Sequence, residues 1–402
     1  AGYLSRTDSG GLWAGCRPER RQCLELLVVS GKTQEKCSGN GYFSDFNGNF
    51  AGFLHIERDR NEQLRREKVE KKQSNRSTEV LAILQQAGED FVSGEQLCQK
   101  LGVSRTAVWK IIKKLKEDGY DIEGVSNRGY RLKEEPEILS REAILTRFHG
   151  SWSCAQVECY PVIGSTNDRA KEAYAEGAPH GTLVVADCQK AGKGRRGRQW
   201  ETPAGAAIAM SSLLRPQLPP EKASMLTLVM ALALAQGVST VTGLEVKIKW
   251  PNDLVVNGKK LSGILTEMSA DMDEIHYVVI GTGVNVNVEE FPEEIRETAT
   301  SLYLETGKRW NRAEIIARTM EAFEPLYEAF EQAQSLAPLK APYEALLANR
   351  NQGVRVLAGE NSYTGIARGI DESGCLLVER EDGSVDTVMS GEVSVRGIYG
   401  YV

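Results

Sequence analysis

The stretch QKAGKGRRGRQW, residues 189–200, sets Lys193, Arg195, Arg196 and Arg198 among three glycines, Gly192, Gly194 and Gly197. Those glycines spell G-x-G-x-x-G, the pattern of a dinucleotide turn. In such a turn the third glycine opens a helix packed on a sheet, and an acidic residue about 20 positions later holds a ribose. Here Gly197 leads into RQWETPAG, where Pro203 and Gly205 leave no helical period. A Walker A loop needs Gly-Lys-Ser/Thr, and GKGRR does not supply it. What remains is a flexible turn of four cations and bare backbone amides, suited to holding several negative groups together. An exposed basic loop with no ligand is the plainer account of any short charge run.

A second cationic stretch, KIKWPNDLVVNGKKLSGI from Lys247 to Ile264, weakens that account. In a strand, Lys247 and Lys249 share one face while Val246, Ile248 and Trp250 share the other, and Pro251 holds Trp250 extended. Asn257-Gly258 favours a two-residue type I′ hairpin, which brings Lys260 back on the returning strand. Asn252 and Asp253 lie at the bend, where an Asx turn is the plainer explanation. A third stretch, GSTND, follows a strand and opens a helix. Ser165-x-x-Asp168 reads as a capping box; hydroxyl and amide groups at that junction equally suit a polar, uncharged ligand head.

These stretches need a frame. Strand QVECYPVI, helix NDRAKEAYAEG, strand GTLVVAD, the glycine loop, strand AAIAMSSLL and an apolar helix near residues 221–236 follow in order. Strand LEVKIKW, the Asn257-Gly258 hairpin and strand IHYVVIGTGVNV complete the run. Such an order predicts a mixed sheet with helices rather than a doubly wound parallel one. Helical stretches near residues 312–349 come next, and the tail, GVRVLAGENSYTGIARGIDESGCLLVEREDGSVDTVMSGEVSVRG, reads as short strands with glycine-centred turns, a small β-barrel.

Ahead of this frame, TEVLAILQQAG and SGEQLCQKLG read as two short helices, and SRTAVWKIIKKLKEDG as a longer basic one. With the turn at Gly102–Ser104 they make a helix-turn-helix, and YDIEGVSNRGYRL supplies a two-stranded wing. Ser93 to Lys133 carries nine basic and five acidic side chains, a local net charge of +4. Ser104, Arg105 and Thr106 stand near the N-terminus of the third helix, where side chains approach base edges. Lys110, Lys113 and Lys114 fall toward phosphates, and Arg128 on the wing toward a groove or the backbone; Ser93, opening the second helix, joins this candidate DNA-contacting set. A trihelical packing module with solvated lysines is the competing reading.

GSTND, QKAGKGRRGRQW, KWPNDLVVNGKKLSGIL and GTGVNVN, in this order between a winged helix and a small β-barrel, closely resemble the bifunctional biotin protein ligases that also repress the biotin operon. The resemblance spans about residues 77–402, and several ordered motifs are far more specific than any one of them. It implies an α+β multidomain chain with an N-terminal winged helix-turn-helix, a central mixed-sheet α/β biotin-ligase domain and a C-terminal SH3-like β-barrel. The corresponding boundaries are an extension at 1–76, the winged helix at 77–136, the catalytic domain at 137–346 and the barrel at 347–402. It further implies that biotin and ATP form biotinyl-5′-AMP and pyrophosphate, and that biotin then passes to a lysine of a carboxyl carrier protein or domain. By resemblance, Ser165, Thr166, Asn167 and Gln189 surround the biotin head, while Lys193, Gly194, Arg195 and Lys260 hold its carboxylate. Arg195, Arg198, Trp200, Lys249, Asn252, Asp253 and Asn285 fall on the ATP and adenylate side, with Mg²⁺ entering with ATP and no structural metal. Lys193 stands where the family commonly has Arg, keeping charge but losing the bidentate fork. The adenylate would favour a homodimer that pairs two winged helices on operator DNA. A DNA-binding biotin sensor without ligase activity, and a lipoate-type ligase, are the alternatives. The chain lacks the Gly-Gly-Gly motif after paired arginines that marks the latter.

Bulk properties set the outer limits. At 402 residues, with 41% hydrophobic and 26% charged residues and a formal net charge of −6, the chain reads as a soluble protein of several domains. Eight cysteines without a C-x-x-C pair read as reduced thiols in a cytoplasmic protein. The most apolar run, MLTLVMALALA, falls short of the roughly 20 residues of a spanning helix and reads as a buried core helix; no membrane association is expected. The first 76 residues, with no methionine before Met210 and little periodic core pattern, read as a poorly ordered extension or an over-extended reading frame.

Overall fold

The computed structural model describes residues 76–134, 137–357, 362–389, 394–397 and 401, all within one compact unit. The extension expected at 1–76 lies outside them but for its last residue.

The first module begins with helix α1 (residues 76–87), followed by α2 (Gly94–Leu101) and α3 (Arg105–Glu117). Ser93 caps α2 in a reciprocal box with Gln96, and Gly102 ends it in a left-handed conformation. The apolar face of each helix turns inward, so that Val80, Leu81, Leu84, Leu97, Val108, Ile111, Ile112 and Leu115 form a separate small core. Strands β1 (Asp121–Val125) and β2 (Gly129–Glu134) pair antiparallel as the expected wing. Gly129 crosses Val92 so closely that a Cβ would sit 2.1 Å from its carbonyl oxygen; no other residue fits that crossing. The Tyr120 hydroxyl lies 2.7 Å from Ser140 Oγ, at the start of helix α4 (Arg141–Leu145) in the next module.

That module is built on seven strands. Strand β3 (Gln156–Ile163), helix α5 (Thr166–Ala175), β4 (Thr182–Gln189) and β5 (Ala207–Leu214) come first. Helix α6 (Leu226–Thr242), β6 (Lys247–Lys249), β7 (Asp253–Val256), β8 (Lys259–Ala270) and β9 (Ile275–Asn285) follow. The sheet order is β3-β4-β5-β9-β8-β7-β6. Among its pairs only β3–β4 is parallel, as the mixed-sheet reading requires. Asn257 and Gly258 both take positive φ between β7 and β8, the signature of the type I′ hairpin. Strand LEVKIKW shortens to Lys247–Lys249 at both ends: the Trp250 N–H donates to Asn349 Oδ1 at 3.0 Å, and the Leu244 N–H is taken by Thr242 Oγ1 at 3.2 Å.

One face of the sheet is covered by α6 and by α8 (Arg312–Ala333), reached through the short α7 (Leu302–Thr306). Gly237 lets α6 and α8 approach, since a Cβ there would stand 2.6 Å from Thr319 Oγ1. With its 3₁₀ lead-in, the α6 segment Pro220–Thr242 is, by length and composition, long and apolar enough to cross a membrane, longer than the sequence run suggested. Its Leu226, Leu228 to Ala235 and Val238 are instead packed into the main core.

After α9 (Lys340–Leu346), strands β10 (Gly353–Leu357), β11 (Tyr363–Ile370), β12 (Leu376–Glu379), β13 (Val385–Val388) and β14 (Ser394–Gly397) form the C-terminal module. It is an antiparallel sheet of order β13-β12-β11-β10-β14, the small all-β unit expected. Its Val354, Val356, Ala367, Ile370, Leu376 and Val378 belong to the same core cluster as the central sheet.

Candidate functional site

A cavity of about 770 Å³ opens on the sheet face opposite α6 and α8, and the three sequence stretches that suggested chemistry meet on its wall. Ser165, Thr166, Asn167, Gln189, Lys193, Gly194, Arg195, Arg198, Trp200, Lys249, Asn252, Asp253 and Lys260 all line it. Asn285 does not: its Nδ2 donates to the Thr300 carbonyl at 3.1 Å, and the residue is buried away from the cavity.

One end of the cavity is lined by neutral side chains joined in a hydrogen-bonded network. Gln189 Oε1 accepts from Thr166 N at 2.8 Å and from its hydroxyl at 3.1 Å, while Gln189 Nε2 donates to Thr202 Oγ1 at 3.2 Å. Ser211 Oγ lies 2.7 Å from Thr166 Oγ1 and 2.6 Å from Asn167 Oδ1. Asn167 Nδ2 donates to Glu267 Oε2 at 2.7 Å. Burial works against the charge of Glu267, yet its bonds from Lys171 and Asn167 hold the carboxyl below its ordinary value. The Asn167 amide is thereby fixed in orientation. Gly281 makes room for it, since a Cβ there would stand 2.2 Å from Asn167 Oδ1. The capping box read at Ser165 is only half formed. Ser165 Oγ accepts from Asp168 N at 3.4 Å, whereas the Asp168 carboxylate is taken by Lys193 Nζ, 2.7 and 2.8 Å away.

The glycine-rich loop closes one side as a narrow hairpin. Gly194 N donates to Arg198 O at 2.7 Å and Trp200 N to Gly192 O at 3.0 Å. At its tip Arg196 and Gly197 adopt positive φ. No helix follows Gly197, which removes the dinucleotide reading on geometry as well as on pattern. Arg195 Nη1 donates to Asn252 Oδ1 at 2.5 Å, tying the loop to the β6–β7 bend. Burial lowers the Arg195 guanidinium from its ordinary value, against the opposing pull of Asp253; the side chain remains a cation, and an anion in the cavity would relieve that cost.

The other end is strongly cationic. Seven Lys and Arg side chains line the cavity against two carboxylates, Asp253 and Glu297. Lys249 is almost fully buried, and its Nζ lies 3.3 Å from the centre of the Tyr401 ring. Asp253 pairs with Lys260 at 2.8 Å and accepts from the Tyr401 hydroxyl at 2.5 Å. Trp200 lies flat over β9: a Cβ on Gly283 would stand 2.3 Å from its ring, and its indole N–H is buried without a hydrogen-bond partner. Asn252 Nδ2 donates to the Ile264 carbonyl at 3.1 Å. The bend is therefore pinned across the sheet rather than by a local Asx turn, since Asn252 Oδ1 accepts from Arg195, while its carboxylate and amide still face the cavity.

Several contributors escaped the sequence reading. Ser211 and Glu267 act from the sheet floor, 44 and 100 positions from Asn167, so no local pattern exposes them. Tyr401 enters from the far end of the chain. Gly281 and Gly283 were visible within GTGVNVN, but only the fold shows that Asn167 and Trp200 occupy their missing side chains.

A second candidate surface lies on the first module. Arg105, Thr106, Lys110 and Lys113 stand exposed on α3, with Lys114 partly covered. Ser93 and Ser104 are engaged as helix caps. Arg128 on the wing stacks over Phe91 at 4.4 Å, and Arg131 lies 4.7 Å from the same ring.

A winged helix joined to a ligase-type sheet and a small β module defines the class, and comparisons with known proteins give the same division. Residues 159–285 match the biotin/lipoate A/B protein ligase family, 76–131 an HTH domain and 351–396 the biotin protein ligase C-terminal domain. A bifunctional ligase/repressor BirA of Bacillus spizizenii is 38% identical over 319 residues, covering 79% of this chain and 98% of the relative. That of Escherichia coli is 35% identical, covering 79% and 96%. The solved structure of a biotin protein ligase from Aquifex aeolicus, in complex with biotin and ATP, aligns with a TM-score of 0.54 at 33% identity, covering 60% of this chain and 99% of that one. The chain belongs to the family of bifunctional biotin protein ligases and repressors.

Proposed function

We propose that this protein is an ATP-dependent biotin protein ligase and a biotin-responsive transcriptional repressor of biotin genes. One observation carries the ligase reading: a neutral, hydrogen-bonded pocket end and a cationic end meet under one loop, GKGRRG. Biotin has the matching halves, an uncharged ureido head and a carboxylate. Thr166, Asn167 and Gln189 receive the head, where an unpaired polar atom costs about 1–3 kcal/mol and so rejects analogues. Lys193, Arg195 and Lys260 hold the carboxylate, and Lys249, Asn252, Asp253, Arg198 and Trp200 take the nucleotide.

The reaction brings two anions together. A carboxylate oxygen attacks the ATP α-phosphorus, the bond to the β-phosphate oxygen breaks, and pyrophosphate leaves. The cations offset the repulsion as the oxygen approaches. An amine of the carrier lysine then attacks the acyl carbon, and AMP departs. For that step proximity to an activated acyl group suffices, and the closed loop excludes water. Among the described residues no cluster of three or more metal-ligating side chains occurs, and Asp253, paired with Lys260, is one of two carboxylates on the cavity wall, with Glu297. This suits a Mg²⁺ carried in by phosphates, which one protein carboxylate would complete and which would neutralise phosphate charge.

The acceptor is a carboxyl carrier protein or domain. The repressor half uses α3 and the wing on operator DNA, as a homodimer favoured by the adenylate, and the protein works in the cytoplasm. Module boundaries near 136/137 and 346/347 fit this division of labour. Biotin-dependent exchange of pyrophosphate into ATP, followed by biotin transfer to a carrier domain, tests the ligase reading. Absence of exchange rejects it, and lipoate outcompeting biotin would redirect it. Footprinting without biotin-dependent protection rejects the repressor half.

A further inference from the structure

Helix α3 buries Val108, Ile111, Ile112 and Leu115 and turns Arg105, Thr106, Trp109, Lys110, Lys113 and Lys116 outward. Trp109 is out of place in that company. It is 55% exposed and is the only large exposed hydrophobic among the described residues of the first module. It makes no contribution to the core of Val80, Leu81, Leu97 and their neighbours. It lies about one turn beyond Arg105 and Thr106, about 4.5–6 Å along the axis, on the same face. Lys113 Nζ stands 5.8 Å from the centre of its ring. Two carboxylates reach this face at longer range: Glu95, 3.9 Å from Arg105, and Glu117, 3.6 Å from Lys113.

An isolated exposed apolar residue needs no explanation by itself. A rigid indole in the middle of a basic face, on the second turn of the helix that enters a groove, is a different matter. Side chains on the first turns of such a helix meet base edges, and in the major groove thymine alone presents an apolar group, its C5-methyl. Lysines contribute affinity without sequence information, because phosphates are the same everywhere. The face as first read therefore contains much to attract DNA and little, beyond Arg105 and Thr106, to discriminate between sequences.

We propose that Trp109 is a specificity-determining residue, packing its ring against thymine methyl groups in the major groove while Lys110 and Lys113 hold the flanking phosphates. This inference rests on the repressor reading and names the chemistry by which that surface reads sequence.

The test uses the full chain with biotin and ATP. A duplex is selected from a random pool by the wild-type protein, and binding is measured by fluorescence anisotropy for wild type, Trp109→Ala and Trp109→Phe. Each duplex is made with thymidines in the selected site replaced one at a time by deoxyuridine, which removes only the methyl. Wild type should lose about fourfold in affinity at one or two positions, the value of one buried methyl. Trp109→Ala should lose at least as much on the selected duplex and be insensitive to deoxyuridine at those same positions. Its salt dependence and its affinity for random duplex should be unchanged, and Trp109→Phe should recover part of the loss. Matching circular dichroism melts guard against misfolding. Equal binding by Trp109→Ala and wild type would overturn the inference while leaving the repressor reading intact, and so would undiminished deoxyuridine sensitivity in the alanine variant. A wild type that selects no sequence at all would overturn both.

Discussion

The indole N–H of Trp250 donates to the carbonyl oxygen of Gly374, 2.9 Å away and 124 positions further along the chain. Trp250 is fully buried and immediately precedes Pro251, Asn252 and Asp253 on the cavity wall. The backbone N–H of Trp250 donates to Asn349 Oδ1, so both of its donors are satisfied by the C-terminal end of the molecule. The small β module is thus a strut for the bend that presents Asn252 to Arg195 and Asp253 to Lys260.

Trp250→Phe should keep most of the packing but leave the Gly374 carbonyl without its donor and open a small void. We expect a loss of about 2–4 kcal/mol in urea denaturation, with a raised KM for ATP and little change in KM for biotin. Equal increases in both would show that the strut supports the whole cavity rather than the nucleotide end.

Arg195→Ala removes the clamp between the glycine-rich loop and Asn252. Pyrophosphate exchange should fall about 10²-fold or more, the effect of removing a charge-stabilising donor from a preorganised site. Stability should change by less than about 0.5 kcal/mol, as for a partly exposed loop residue. Arg195→Lys should fall in between, retaining charge without the fork. Wild-type exchange rates in the alanine variant would remove the loop from the chemistry.

Much of this was legible because it is local. The Asn257-Gly258 turn, the helices opening at Ser93 and Ser104 and the cation-rich loop are set by neighbours in sequence, and each appears where its residues place it. The strand at Lys247–Lys249 is shorter than its pattern predicts, and its C-terminal end is decided by Asn349, 99 positions away from Trp250. Asn285, assigned to the nucleotide side by resemblance, turns its amide to Thr300 instead. Ser211, Glu267 and Tyr401 reach the site only through sheet pairing and chain return, and no periodicity encodes those.

Gly281→Ala tests whether the neutral end depends on a side chain that is absent. The added methyl would overlap the Asn167 amide at 2.2 Å, forcing it from Glu267 and Ser211. The strand itself tolerates alanine, so circular dichroism should be unchanged. KM for biotin should rise at least tenfold, about 1.4 kcal/mol of lost binding, with KM for ATP held. A biotin KM equal to wild type would mean that Asn167 does not touch the head.

Glu324 contributes to the pH dependence of the fold. Its carboxylate lies at α8 and accepts from the backbone N–H groups of Ser151, Trp152 and Ser153, at 2.7 to 2.9 Å. Burial works against its charge, but these donors prevail and hold the carboxyl below its ordinary value of 4.5. A depressed folded-state value means that the stabilisation is complete above the unfolded value and is lost as pH falls through the folded one. Glu324→Gln keeps the shape, removes the charge and turns an amide N–H₂ toward donors. At about pH 7 it should cost about 2–4 kcal/mol, the range for hydrogen bonds to a charged group with one donor left unpaired. As pH falls below the ordinary value of 4.5 and through the lower folded-state one, the gap between wild type and variant should narrow, because wild type then protonates the same carboxylate. Urea denaturation of both proteins across that range reads the gap directly. A gap that stayed constant with pH would show that the loop is held by packing on α8 and not by the charge of Glu324.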